Sequence, residues 1–398
     1  MSGLLTKLLG RIPIGWLQLS YSRMRMLAAV FGVAFANVLV FVQLGIIGAF
    51  NTSIQMSYQP LVADIIISAS DANTLSDGSS VTRRYMYQSL SLPEISSAAP
   101  LYIGLLNWNL PNGNAASIQV YGVPPESLAF FKPEYEAKLK ALNLQNTLLL
   151  DAKTRGLDSG TLKRITDQQQ RIELNNVALA IIDTVTIGGG FGADGNIFVS
   201  DQTFFRLFPK QQAGTPSHIL LSVNHGDSNQ QHLDKNIQAI AKQLEQHLQA
   251  PDAQVHALKE RISNDVTYQM TKRPVGVIFG FGVFIGILVG VVIVYQVLST
   301  DVADHLKEYA TFKSMGYENS FFYGVITEQA ILLACIGFVP GSILAMLIYA
   351  AMTLATGLPV SMEVSRLFIV LFGTIIACMI SGFIATRRLK SADPAELF

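Results

Sequence analysis

Of the 398 residues, half are hydrophobic and only 14% are charged, where an ordinary soluble domain carries about a quarter; the mean hydropathy is +0.37. Lys and Arg total 28 and Asp and Glu total 28, so the formal net charge is zero, which leaves no basic field to draw a nucleic acid and no acidic tail. The composition is that of a membrane protein and argues against nucleic-acid binding.

The first 26 residues mix apolar side chains, among them Leu4, Leu8, Ile12, Trp16 and Leu19, with Lys7, Arg11, Arg23 and Arg25, a blend suited to the headgroup boundary. Such a lead reads as a plain membrane anchor or as a lever that feels motion in the span after it. Charge-free runs follow at Leu27–Phe50, Val275–Thr300, Gln329–Met362 and Leu367–Thr386. A helix needs about 20 apolar residues to cross a bilayer, so four spans are predicted, the third from about Phe321 to Tyr349, with Gly357 and Pro359 in a surface turn. The first run exceeds the roughly 7 to 15 apolar residues of a cleavable signal peptide and reads as an uncleaved anchor. Basic residues near both ends, including Arg387, Arg388 and Lys390, place both termini in the cytoplasm by the positive-inside rule.

This yields a membrane protein of four transmembrane helices with a large periplasmic α+β domain inserted between helices 1 and 2. The segments are 1–50 (lead and first span), 51–272 (outer domain), 273–300 (second span), 301–320 (inner loop) and 321–398 (spans three and four with the tail). Within the outer block, "ADIIISAS", "ASIQVYGV", "VALAIIDTV", "NIFVSD" and "HILLSV" alternate like strands bounded by turn residues. Glu134–Leu142, Asp201–Leu207, Ser228–Leu248 and Gln254–Met270 are helical by pattern, and Asn51–Tyr58 prolongs the first span into a stalk that Pro60 stops.

Gly190, Gly192 and Gly195 have the G-x-G-x-x-G spacing of a dinucleotide loop. Such a loop must open a helix, whereas "NIFVSD" reads as a strand, so a glycine-rich turn is expected. No P-loop, nucleophile elbow or H-E-x-x-H occurs in the sequence, and Cys335 and Cys378 fall inside spans. The chain is therefore expected to be no enzyme, with no catalytic residue, no metal and no cofactor of its own.

In the second span Gly276, Gly280, Gly282, Gly286 and Gly290 step by fours and clear one face for close helix packing, within the chain or across a homodimer. Glu328 is a carboxylate about two turns into the third span, either at the interface or a functional group. The inner loop, "LSTDVADHLKEYATFKSMGYENSFF", spaces Asp301, Asp304, Lys307 and Glu308 for pairing along a helix. It gives that helix an apolar side of Val302, Leu306, Tyr309, Ala310 and Phe312 and ends it at Gly316. An apolar side standing free between two spans calls for a partner surface.

"DHLKEYATFKSMGYENSFF" resembles the cytoplasmic segment of MacB/FtsX/LolC-type permeases of ATP-binding cassette (ABC) systems, the mechanotransmission superfamily, and "RRLKSADPAELF" is similar to their Asp-Pro-Ala-Glu ending. More narrowly, "VIVYQVLSTDV", "EYATFKSMGY", "FGADGNIFVSD" and the lead "RIPIGWLQLSYSRMR" resemble DevC-type permeases. The resemblance implies a homodimeric inner-membrane permease among membrane lipids, whose coupling helix Asp301–Gly316 docks on a separate ABC ATPase subunit that binds ATP and Mg. Asp301, Asp304, Leu306, Lys307, Glu308, Tyr309, Lys313, Met315 and Gly316 would carry the coupling. It further implies a periplasmic membrane-fusion adaptor, a TolC-like outer-membrane channel and export of a lipid-like or other periplasmic substrate. An FtsX-like regulator of a periplasmic hydrolase and a LolC/LolE-like lipoprotein-release permease are the alternatives.

Overall fold

The structure is a computed structural model that describes residues 14–111, 113–167, 171–224, 230–304, 308, 311–313 and 315–390. The chain divides into a helical unit (1–49, 275–355 and 360–398) and a sheet unit (50–274 with 356–359).

The sheet unit is built on nine strands in the order β5-β6-β4-β7-β3-β2-β8-β1-β9. They are β1 Ile65–Ala69, β2 Ile95–Asn109, β3 Ala115–Val123, β4 Thr147–Asp151, β5 Arg171–Leu174, β6 Val177–Val185, β7 Gly195–Ser200, β8 His218–Val223 and β9 Ala253–Ala257. The long β2 serves two neighbours: Ile95–Leu101 pairs with β8 and Tyr102–Asn109 pairs with β3. Two cores follow from that division. One joins Ile118, Leu148, Ile197 and Phe204, and the other joins Ile65, Ile219, Leu244 and Val255. β5 and β6 form a hairpin whose corner residues Asn175 and Asn176 take φ of 46° and 64°, the left-handed conformation a two-residue turn demands and Asn tolerates.

All five strands read from the sequence are present, in β1, β3, β6, β7 and β8. The predicted helix Gln254–Met270 is corrected in its first turn. Ala253–Ala257 is strand β9, paired with β1, and the helix runs Leu258–Thr271. The alternation in "AQVHA" places Val255 and Ala257 in the core, a period-two burial that a helix cannot supply.

Four described helices are long and apolar enough to cross a membrane: Arg23–Tyr58, Pro274–Asp304, Asn319–Thr356 and Val364–Lys390. A shorter helix, Ile14–Tyr21, precedes them. Their shared core is made mostly of small and β-branched side chains, including Ala29, Val33, Val294, Ala330 and Ala334, which let helix backbones approach where lipid offers no hydrophobic drive for association. Hydrogen bonds supplement it: Ser381 Oγ lies 2.9 Å from Val291 O, and Tyr349 donates its hydroxyl to Phe41 O. The first long helix is unbroken, and its last turns, Phe50–Tyr58, belong to the sheet unit.

Candidate functional site

Asp301 and Asp304 lie on the last turn of Pro274–Asp304, and Glu308 and Thr311–Lys313 are helical. Leu306, Lys307 and Tyr309 fall outside the described residues, as does Ala310. A Schellman motif closes the segment: Tyr317 N–H bonds Phe312 O at 3.2 Å and Gly316 N–H bonds Lys313 O at 3.1 Å. Gly316 itself has φ +93°, a conformation that disfavours any side chain there.

Two residues of the predicted apolar side, Val302 and Phe312, pack within the chain. Val302 packs with Phe322 and Ile326 in a small core to which Phe312 and Phe321 add, and Tyr317 stands 5.6 Å from Phe312 and 4.6 Å from Phe321, ring to ring. The chain's own third long helix thus occupies Val302 and Phe312, while Leu306, Tyr309 and Ala310, the rest of the predicted apolar side, lie outside the described residues. Glu308, Thr311, Lys313, Met315 and Tyr317 are among its exposed residues.

The lead is tied to the same place. Trp16 donates its backbone N–H to Glu328 Oε1 at 3.3 Å, Gln18 Nε2 donates to Glu308 Oε2 at 3.3 Å, and Gln329 Nε2 donates to Gln18 Oε1 at 3.2 Å. A carboxylate facing the amides of a helix's first turn is favoured by their aligned dipoles, and this gives buried Glu328 a structural task. Gly15 permits the approach, since a Cβ there would stand 2.9 Å from Val325 O. Further along, at the start of the first long helix, Arg25 pairs with Asp304. Both side chains are largely exposed, so the pair adds under about 1 kcal/mol of stability; it fixes which residue of the segment the first long helix addresses.

Three of the second-span glycines face the first long helix of the same chain. A Cβ at Gly282 would meet Gln43 at 2.7 Å, at Gly286 Val40 at 3.3 Å, and at Gly290 Ala36 at 3.1 Å. Gly280 has open space around it, and Gly276 is buried in the first turn.

Within the sheet unit, the far end of the first long helix is held by groups that sequence reading did not single out. Ser53 Oγ accepts from Phe191 N at 2.7 Å, the Phe50 and Phe191 rings meet edge to face at 5.0 Å, and Tyr121 OH donates to Ser57 O at 2.6 Å. Tyr58 OH donates to Asp265 Oδ2 at 2.8 Å, which also accepts from Leu75 N at 3.1 Å. Burial raises the Asp265 carboxyl above its usual range despite these donors.

The glycine loop is therefore a seat for this helix. Gly188 N and Ile187 N donate to buried Asp151, as do Lys153 N and Asn196 Nδ2, at 2.7 to 3.1 Å. Arg155 binds Gly190 O at 2.6 Å and pairs with Asp194. The loop runs into β7, a strand, so no helix N-terminus is available for a pyrophosphate. The described residues contain no cluster of three or more His, Cys, Asp or Glu that could hold a metal.

Comparison with solved structures finds similarity to the extracellular domain of the noncanonic ABC-type transporter YknZ from Gram-positive bacteria. The identity is 10% over 49% of this chain and 98% of that one, with a TM-score of 0.31. It also finds the periplasmic region of MacB from Actinobacillus actinomycetemcomitans, with 11% identity over 52% of this chain and 95% of that one and a TM-score of 0.32. Comparison with curated proteins gives no match. Residues 280–394, the stretch that holds 301–320 and the last two long helices, match the FtsX-like permease C-terminal family, and it is there that this chain is similar to the membrane part of ABC permeases.

Proposed function

We propose that this chain is the non-catalytic permease subunit of a DevC-type ABC export system, working as a homodimer in the bacterial inner membrane. A separate ATPase subunit, with ATP and Mg bound to it, acts on the cytoplasmic segment Asp301–Gly316. The resulting motion reaches the periplasmic block Asn51–Lys272, which works a membrane-fusion adaptor and, through it, a TolC-like channel to expel a lipid-like or other periplasmic substrate. Both termini are cytoplasmic in this scheme.

The observation that carries the reading is one unbroken helix, Arg23–Tyr58, held at both ends. Arg25 pairs with Asp304 near its start, and Ser53 and Tyr58 are bonded near its finish. A continuous helix with fixed ends is the kind of rigid element through which force can travel. The FtsX-like match over 280–394 supports the ABC assignment, and the segments quoted from the inner loop and the lead support the narrower DevC type.

Co-purification of the full chain from its native membrane tests this. An ATPase subunit and an adaptor are expected in the complex, and the chain alone should hydrolyse no ATP. A hydrolase partner or a lipoprotein carrier in place of the adaptor would move the assignment to the FtsX-like or LolC-like alternative. Exposed Glu308 should tolerate charge reversal for folding, so Glu308→Lys should insert normally yet lose export; full export by that variant would remove the coupling role.

A further inference from the structure

A narrow cavity of about 190 Å³ lies between the first, second and fourth long helices. Its walls are aliphatic side chains and small residues such as Gly286, Gly290 and Gly373, and among the described residues its polar side chains besides the thiol of Cys378 are Asn37 and Thr374. Gly373 has no neighbour within 4 Å of the place its Cβ would take.

Asn37 is 3% exposed, and its Nδ2 has no hydrogen-bond partner among the described residues. Its Oδ1 accepts from Thr374 Oγ1 at 2.5 Å, while that hydroxyl also lies 2.7 Å from Val370 O. The hydroxyl has one proton for these two acceptors. If the amide is turned over, Nδ2 donates to Thr374 and Oδ1 is the arm left open. In either orientation one arm of a buried amide faces an apolar cavity unpaired, a burial that is costly until a partner arrives.

Position narrows what that partner is. Asn37 stands ten residues after Leu27 and thirteen before Phe50 in the charge-free run, about 15 and 20 Å from its ends at 1.5 Å per residue. That is mid-bilayer depth, where the surroundings are hydrocarbon and no headgroup reaches. A water molecule seeks two to four polar partners, and beyond the open arm of Asn37 these walls offer only the Thr374 hydroxyl and the Cys378 thiol.

We propose that this cavity binds a lipid hydrocarbon chain carrying a hydroxyl or carbonyl oxygen part-way along its length, with Asn37 bonding the oxygen and the space beside Gly373 taking the chain. The proposal requires only that the four long helices lie in a bilayer, and it stands or falls apart from the export assignment.

The test is electron paramagnetic resonance of the full chain in bilayer discs titrated with stearic acid bearing a doxyl nitroxide at mid-chain, an oxygen acceptor at the matching depth. The expected result is an immobilised component that Gly373→Leu abolishes and Asn37→Leu weakens about tenfold, the worth of one buried hydrogen bond. Stearic acid labelled next to its carboxyl should bind with the same affinity to the wild type and to Asn37→Leu. Thermal unfolding of each variant separates loss of the site from loss of the fold, and the milder Gly373→Ala, expected to weaken binding in part, replaces Gly373→Leu should that variant unfold. No immobilised component in the wild type, whether water or a second copy fills the cavity, overturns the proposal, as does a component indifferent to the Gly373 variants. Loss with Gly373→Leu and no change with Asn37→Leu overturns the role given to the oxygen.

Discussion

The two units differ in how far hydrogen-bond networks organise their interiors. In the sheet unit, fully buried Asp151 receives four donors, buried Arg261 spends two N–H groups on Ala72 O and Thr74 O at 2.9 Å each, and buried His218 lies 2.8 Å from both Ser68 Oγ and Leu75 O. Leu75 O can only accept, so Nε2 carries the imidazole proton and Nδ1 accepts from Ser68. In the helical unit Asn37 keeps an open arm, and Gln43 Oε1 has no partner among the described residues. Its surface meanwhile shows Phe31, Phe281, Leu347 and Phe372, which suit lipid and not water. Networks like those of the sheet unit fix the stretches they join, even though Arg261 Nε itself has no partner among the described residues. Helices packed through small residues in lipid rest more on close backbone approach than on such networks.

Breaking a tie should therefore cost most in the sheet unit. Asp151→Ala strands four donors in the interior and should cost about 3 to 5 kcal/mol, visible as a fall of roughly 10 °C in the unfolding temperature of the purified chain.

His218 comes next and reads out through pH. Burial holds its imidazole down to about 4, whereas an unfolded chain's histidine titrates near 6.5. The stability that neutral His218 confers is thus complete above about pH 6.5 and is lost as the pH falls through 4, a drop of about 3 kcal/mol. His218→Asn should flatten that slope, and since the raised Asp265 carboxyl has the opposite sign in both proteins, the difference between the two curves isolates the histidine.

In the helical unit the expected changes are small in stability and large in work done. Arg25→Glu should shift unfolding by less than about 1 kcal/mol yet reduce export severalfold, and Arg25→Glu combined with Asp304→Arg should restore it. Smallest of all is Gly192→Ala, since nothing lies within 4 Å of that Cβ position and unfolding should be unchanged within about 0.5 kcal/mol. Gly190→Val, which drives a side chain into Ser53, should destabilise clearly; equal effects at the two glycines would contradict the seat assigned to this loop.

The spans were legible because twenty uncharged residues in a row have few other uses, and five strands were legible because they alternate between turn residues. β2 was missed because it changes partners at Leu101, so its burial pattern shifts part-way and no single alternation runs through it. β9 reads as part of a helix in the sequence because five residues cannot separate the two periods. Of the candidate site, Gly316 could be placed from sequence, since a helix end demands such a residue. The contacts of Gln18, Trp16 and Arg25 could not, for they join residues about 280 to 310 positions apart and leave no local pattern. Asp151 was hidden in the same way: four donors from three separate stretches converge on one carboxylate in "TLLLD".

The most direct test places a photoactivatable crosslinker at Glu308 in the assembled complex and identifies what it captures. The account predicts the ATPase subunit, captured from the cytoplasmic side. Capture of the adaptor, or labelling of that position by a membrane-impermeant reagent added outside intact cells, would contradict it.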